Sequence, residues 1–126
     1  MTPEQEQALA RRWVACKGWR WLPGMHDCWG RCAVRDAAGG VRWVNPYNPA
    51  DQHEPDHWPD LTDPATLGCL LALVREAWGD PQAHVAPMWS LNVCTGWRVW
   101  SGHDLTLFFD GSTEAEALVA ALEAAP

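Results

Sequence analysis

Ten tryptophans in a chain of 126 residues, against one tyrosine and two phenylalanines, constrain this protein more than any other feature. They stand at Trp13, Trp19, Trp21, Trp29, Trp43, Trp58, Trp78, Trp89, Trp97 and Trp100. An indole buries roughly 200 Å² or more and carries an N–H that wants a partner once it leaves water. One small core has little room for ten such rings. The expectation is a division of labour, in which some indoles pack the interior and others line a concave surface where a flat guest can stack. Trp13 and Trp78, on helical stripes, belong with the interior set.

The chain is long enough for a single domain spanning 1–126 that buries about two thirds of its unfolded surface. An apolar fraction of 48% with 20% charged residues fits a globular protein. A net charge of −7 argues against a protein that coats long nucleic acid, which needs a basic stripe. It leaves room for a small anionic ligand, because a few arginines set the local sign in a pocket. Lys17 is the only lysine among nine basic residues, which together with many Ala, Gly and Pro points to a GC-rich genome. The polar start, Met1 to Gln7, and the lack of any run near ~20 apolar residues lead us to expect a cytoplasmic protein with no membrane partner. Five cysteines, Cys16, Cys28, Cys32, Cys69 and Cys94, are an odd number, and free, mostly buried thiols are expected.

Helix signals are sharp. Thr2, Pro3 and Gln5 form a capping pattern ahead of Leu9, Trp13 and Cys16, and Gly18 stops the run. Asp63-Pro64 opens a second helix, whose stripe is Leu67, Leu70, Leu71, Val74 and Trp78, closed by Gly79-Asp80-Pro81. Thr113 with Glu116 caps a third, carrying Ala115, Leu118, Val119 and Leu122. Strand signals fall between them. Trp19-Arg20-Trp21 opens one, Trp29–Arg35 and Val41–Val44 read as a hairpin, and Val85, Trp89, Leu91 and Val93 alternate as a half-buried strand. Thr95-Gly96 reads as a tight turn into Trp97–Trp100, and Leu105 to Phe109 makes a last strand. Residues 45–63, rich in Pro and Asp, read as an extended acidic loop of lid-like length. The resulting order is α-β-β-β-α-β-β-β-α. It predicts an α+β fold in which an antiparallel sheet of about five to six strands is packed by three helices.

The strings Arg11–Met25, Leu61–Leu71 and Thr113–Leu118 resemble small uncharacterised proteins of bacteriophage and prophage genomes. The resemblance spans most of the chain and brings no assigned chemistry. It implies a phage accessory product acting in the cytoplasm of an infected bacterial host.

Catalytic patterns are weak. His53-Glu54-Pro55-Asp56-His57 matches the letters of the zinc-peptidase motif, yet Pro55 and Pro59 oppose the rigid helix that motif needs. His26, Cys28 and Cys32 offer ligand spacing without the second pair that a structural zinc site uses. Ser90, Ser101 and Ser112 lack a nucleophile-elbow setting, and His84 or the neighbours His103-Asp104 suggest no spaced triad. No cofactor motif, phosphate loop or dinucleotide fingerprint occurs.

Tryptophan interleaved with arginine carries more chemistry. Trp19, Arg20, Trp21, Arg42, Trp43, Trp89, Trp97, Arg98 and Trp100 form the candidate ligand-binding set. On a strand Arg98 and Trp100 share a face, while Arg20 points away from Trp19 and Trp21. An indole offers a stacking surface for a base, and a guanidinium offers paired donors to a phosphate. The expected function is non-enzymatic sequestration of a small nucleotide-derived immune signal, such as a cyclic nucleotide or cyclic ADP-ribose derivative. A homodimer with pockets at its interface would suit that role. Two other readings compete with it. One is an acidic protein that inhibits a host protein or nuclease complex through the stretch Asp51 to Asp63. The other is a nucleotide-degrading hydrolase.

Overall fold

A computed structural model describes residues 1–45, 58–104 and 106–126. The expected acidic loop is therefore described only at Asn45 and over 58–63. The His53–His57 motif and Leu105 lie outside the described residues. The elements are α1 (Pro3–Val14), β1 (Cys32–Arg35), β2 (Val41–Val44), α2 (Pro64–Trp78), β3 (His84–Ser90), β4 (Val93–Trp100), β5 (Phe108–Gly111) and α3 (Glu114–Glu123). The fold is α+β, with order α-β-β-α-β-β-β-α.

All three helices begin where the capping residues place them. Thr2 Oγ1 accepts from Gln5 N while Gln5 Oε1 accepts from Thr2 N, so the α1 box is closed in both directions. Asp63 accepts from Thr66 N ahead of Pro64, and Gly79 ends α2 in the left-handed region at φ 59. At α3, Thr113 Oγ1 accepts from Glu116 N, while the Glu116 carboxylate reaches back to Ser112 rather than to the cap itself.

The sheet is smaller than the sequence suggests. Among the described residues there are two antiparallel sheets, β1-β2 and β3-β4-β5, instead of one sheet of five to six strands. Trp19-Arg20-Trp21 forms no strand; three alternating residues flanked by Gly18 and Pro23 pack as side chains instead of pairing as backbone. The strand expected from Trp29 begins only at Cys32, because Asp27 to Arg31 fold into a tight turn. There the buried Asp27 carboxylate accepts from the Trp29 and Arg31 amides and from Arg31 Nε at 2.8 Å.

The second hairpin is also redrawn. β3 and β4 pair up to Ser90 and Val93, leaving Leu91 and Asn92 as a two-residue turn with φ of 49 and 66. Positive φ at both positions is the type I′ geometry that matches strand twist. Asn92 suits it; Leu91 costs of order 1–2 kcal/mol there. Thr95-Gly96 is not a turn but lies within β4, where the register shifts between Met88 and Trp89. A glycine inside a strand marks an irregularity of pairing here rather than a turn, since Gly96 pairs with Met88 beside the shift.

Helix α3 is the centre of the core. Ala117, Leu118, Val119 and Ala121 are fully buried, and α3 touches α1, α2 and all three strands of the larger sheet. Leu9 and Trp13 of α1, Leu70, Leu73 and Val74 of α2, and Val99 of β4 close around it. The β5–α3 corner is tight. A Cβ added at Gly111 would lie 2.4 Å from the Ala117 amide nitrogen and 2.8 Å from the Glu116 carbonyl carbon. Backbone atoms cannot yield as a flexible side chain would. Gly111→Ala is expected to destabilise the fold by about 1–3 kcal/mol, the range for overpacking, read from urea unfolding midpoints.

Candidate functional site

The structure divides the expected Trp–Arg set into two groups. The first is a ladder in the N-terminal half. Trp13 meets Trp19 at 5.4 Å between ring centroids, Trp19 meets Trp21 edge-on at 5.0 Å, and Trp21 meets Trp43 edge-on at 4.7 Å. The Arg31 guanidinium lies 5.5 Å from the Trp43 ring. Such contacts occupy ring surfaces that a stacked guest would use. Arg20 points away and pairs with Glu76 at 2.7 Å, and Arg42 is exposed on β2. Trp19, Trp21 and Trp43 are thus brought together as packing against the core, and the open cleft of about 350 Å³ beside Trp19 and Arg20 is lined by Lys17, Glu76 and Ala77 rather than by a second indole.

The second group lies on the three-stranded sheet. Register places His84, Trp100 and Phe108 in one row, and Ala86, Arg98 and Asp110 in the next. Alternation sends these side chains to one face, opposite Val99, which is buried in the core. The Arg98 guanidinium sits 3.8 Å from the Phe108 ring centroid and 5.0 Å from that of Trp100. Its Nε and Nη2 donate to the two Asp110 oxygens at 2.6 and 2.8 Å. Those hydrogen bonds hold Asp110 below the usual carboxylate range and Arg98 above its ordinary value. His84 lies nearly parallel to Trp100, 6.5 Å away at 16°. Trp97 turns inward to the core, and Trp89 lies further along β3 at the hairpin tip.

On the other face of the sheet, that of Val99 and Phe109, a cavity of about 220 Å³ opens between α2 and the sheet and reaches the end of β4 at Trp100. Val74 and Trp78 form its helical wall, with Val99, Trp100 and Phe109 opposite and Leu107 between them. Trp78 is fixed by donating from Nε1 to the Ala121 carbonyl at 2.8 Å, so its ring is a rigid wall rather than a gate. The cavity is apolar apart from its rim, where Asp80, Ser101, His103 and Asp104 stand.

Asp80 organises that rim. Its buried carboxylate accepts from Ser101 Oγ at 3.0 Å, Gly102 N at 2.8 Å and Gln82 N at 3.2 Å, with His103 Nε2 3.5 Å away. Burial pushes the Asp80 carboxyl up, but these donors outweigh it and hold the group below its ordinary value. Asp63 is balanced in the same way: burial raises it, while Thr66 and His26 donors lower it further than that. Both carboxylates serve geometry.

The thiols are free but not mostly buried as expected, since Cys28 and Cys94 are exposed and Cys16, Cys32 and Cys69 are partly covered; even so they do not read as a reactive set. Burial pushes Cys16, Cys28, Cys32 and Cys69 up from their ordinary values, and the nearby Asp63 charge adds to this at Cys32. His26 pairs across from Cys32 and its Nδ1 lies 2.8 Å from Asp63 Oδ2, yet a raised thiol is a weak nucleophile. Among the described residues no three His, Cys, Asp or Glu side chains are placed to hold a metal ion. Nor, among them, is any helix long and apolar enough to cross a membrane.

Sequence reasoning picked out Arg98 and Trp100 but missed Trp78, His84, Phe108, Phe109 and Asp80. Trp78 was placed in the interior, and it is half-buried as a cavity wall. The alternation Phe108-Phe109-Asp110 carried the signal for β5, since residues two apart share a face. No family model matches this chain, and neither a curated protein nor a solved structure is significantly similar to it.

Depressed carboxylates tie stability to pH with a definite sign. Asp80 and Asp63 bind protons less readily folded than unfolded, so their contribution is present above about pH 4, the unfolded range, and is lost as pH falls through their folded values. Melting temperature should therefore fall between pH 5 and pH 2, as followed by circular dichroism. Asp80→Asn is expected to lower it at pH 7 and to flatten part of the acid slope.

Proposed function

We propose that this protein is a non-enzymatic binder of a small nucleotide-derived ligand, with the base in the α2–sheet cavity and the charged tail at Arg98. The observation that carries this reading is the place of Trp100 at the end of β4, among the residues that line the cavity, while its ring lies beneath the Arg98 guanidinium on the outer face. A volume of about 220 Å³ is below the several hundred Å³ that encloses a drug-sized molecule. It fits one planar ring system, leaving the remainder of the ligand to pass round the end of β4 at Trp100 toward Arg98 on the outer face. Indole walls suit a base, and the guanidinium fork suits a phosphate that takes the place of the Asp110 carboxylate.

Saturation of Asp80 by structural donors supports binding over catalysis, since a general base needs a free lone pair aimed at substrate. The resemblance to phage proteins suggests the setting. In an infected bacterium such a binder would withdraw a cyclic nucleotide or cyclic ADP-ribose derivative made as an immune signal. Slow release would suffice for that role, with no chemical step.

Titration with a panel of cyclic nucleotides and ADP-ribose derivatives, followed by tryptophan fluorescence, tests the proposal. Quenching is expected with at least one of them, and denaturing the complex should return the ligand unchanged. Trp100→Ala should weaken binding by about tenfold to a hundredfold, as loss of ~1–3 kcal/mol of stacking requires. Arg98→Ala should weaken it most for the more highly charged ligands, and Asp110→Asn should tighten it by freeing the fork. Absence of quenching across the panel, or recovery of a cleaved ligand, would overturn the reading.

A further inference from the structure

The tip of the β3–β4 hairpin is the most exposed apolar feature of the described chain. Trp89 is 66% exposed, Leu91 94% and Val93 62%. Leu91 occupies a left-handed turn position that asparagine or glycine fills without strain, so its presence there opposes both solvation and backbone preference. A strained residue points to a function that keeps it there, and at an exposed apolar patch that function is contact with another molecule.

Charge narrows the partner. The chain carries sixteen acids and a net −7. None of those acids falls between Asp80 and Asp104, and Arg98 is the single arginine or lysine in that interval. Two copies of an acidic protein repel through most of their surfaces and least through this neutral finger. A partner with a basic surface would instead be drawn to the acid-bearing parts. The mode of contact is narrowed too. β3 is an edge strand, and Pro87 at its middle lacks the N–H that strand addition would need. Contact therefore runs through tip side chains rather than through a continued sheet.

We infer that the Trp89–Leu91–Val93 tip is a self-association surface, meeting the same tip of a second copy in a two-fold dimer. Three side chains fall short of the roughly 800 Å² per partner of a stable interface, so the dimer is weak and reversible. Its partner is a second copy of this chain whether or not a nucleotide is bound.

Sedimentation velocity of the full chain from 10 to about 500 μM, at low and high salt, tests this. Expected is a concentration-dependent dimer that tightens at high salt, because screening removes the like-charge repulsion while leaving apolar contact intact. Leu91→Asn should weaken the dimer by at least about tenfold, and should raise the melting temperature by about 3 °C as the turn relaxes. Trp89→Ser should weaken the dimer as well, without that gain. A monomer at every concentration and salt would overturn the inference, as would a Leu91→Asn variant that dimerises like the parent. Leu91-dependent flotation with phosphatidylcholine vesicles, in place of a dimer, would overturn it and assign the tip to lipid.

Discussion

Burial of α3 on nearly every side is the constraint from which the rest of the structure follows. A helix enclosed this way must carry small or apolar residues on every packed side, and Ala115, Ala117, Leu118, Val119, Ala121 and Leu122 meet that demand, while Glu116 and Glu123 keep to the remaining side. Alanine brings neighbouring backbones close, and the absence of a side chain at Gly111 lets β5 turn directly into the helix. The three-stranded sheet lies against one flank of α3, while α1 and α2 pack on others. Once the sheet and α2 are both held to the same helix, the space between them is set, and the cavity occupies its end. The Trp78 Nε1 bond to Ala121 ties the cavity wall to that same helix.

The ten indoles then fall into distinct physical roles. Trp13 is fully buried against α3, and Trp19, Trp21 and Trp43 extend it as an edge-to-face ladder that replaces the missing strand. Edge-to-face pairs contribute about 0.5–1.5 kcal/mol each beyond their buried area. A ladder of this kind is a way to stabilise an irregular segment without backbone pairing. Trp78 sits where α2 and the sheet meet imperfectly and becomes a wall, while Trp100 lies at the end of β4 beneath Arg98. Trp29 and Trp89 project into solvent. Excess aromatic content thus served core, cavity and surface together.

Polar groups follow the same economy. Asp27 and Asp80 are both buried, Asp27 surrounded by donors from its own turn and Asp80 by Gln82 together with Ser101 and Gly102 from beyond β4, so that neither is left as an uncompensated charge. Arg98 differs: its partner Asp110 is half exposed, and both stand on the outer face of the sheet. A pair in that position is reached by solvent and by any solute that approaches the outer face, as the two buried carboxylates are not. This difference in burial separates scaffold carboxylates from the one that stands beside the proposed ligand.

The α+β class, three helices with their caps and the β1–β2 hairpin were all legible in the residues. Helix ends are settled by partners three or four positions away, as with Thr2 and Gln5 or Asp63 and Thr66, so local spacing is enough to read them. Arg98 and Trp100 were legible as a pair for a similar reason, because alternate residues on one strand share a face. Tertiary structure alone decided that Trp19–Trp21 packs rather than pairs, that the turn falls at Leu91–Asn92 instead of Thr95–Gly96, and that Trp78 walls a cavity. Each of those outcomes depends on contacts between residues distant in the chain: Trp21 with Trp43, Val85 with Val99, Trp78 with Phe109. Periodicity says which side a residue faces. Only the assembled core says what it meets there.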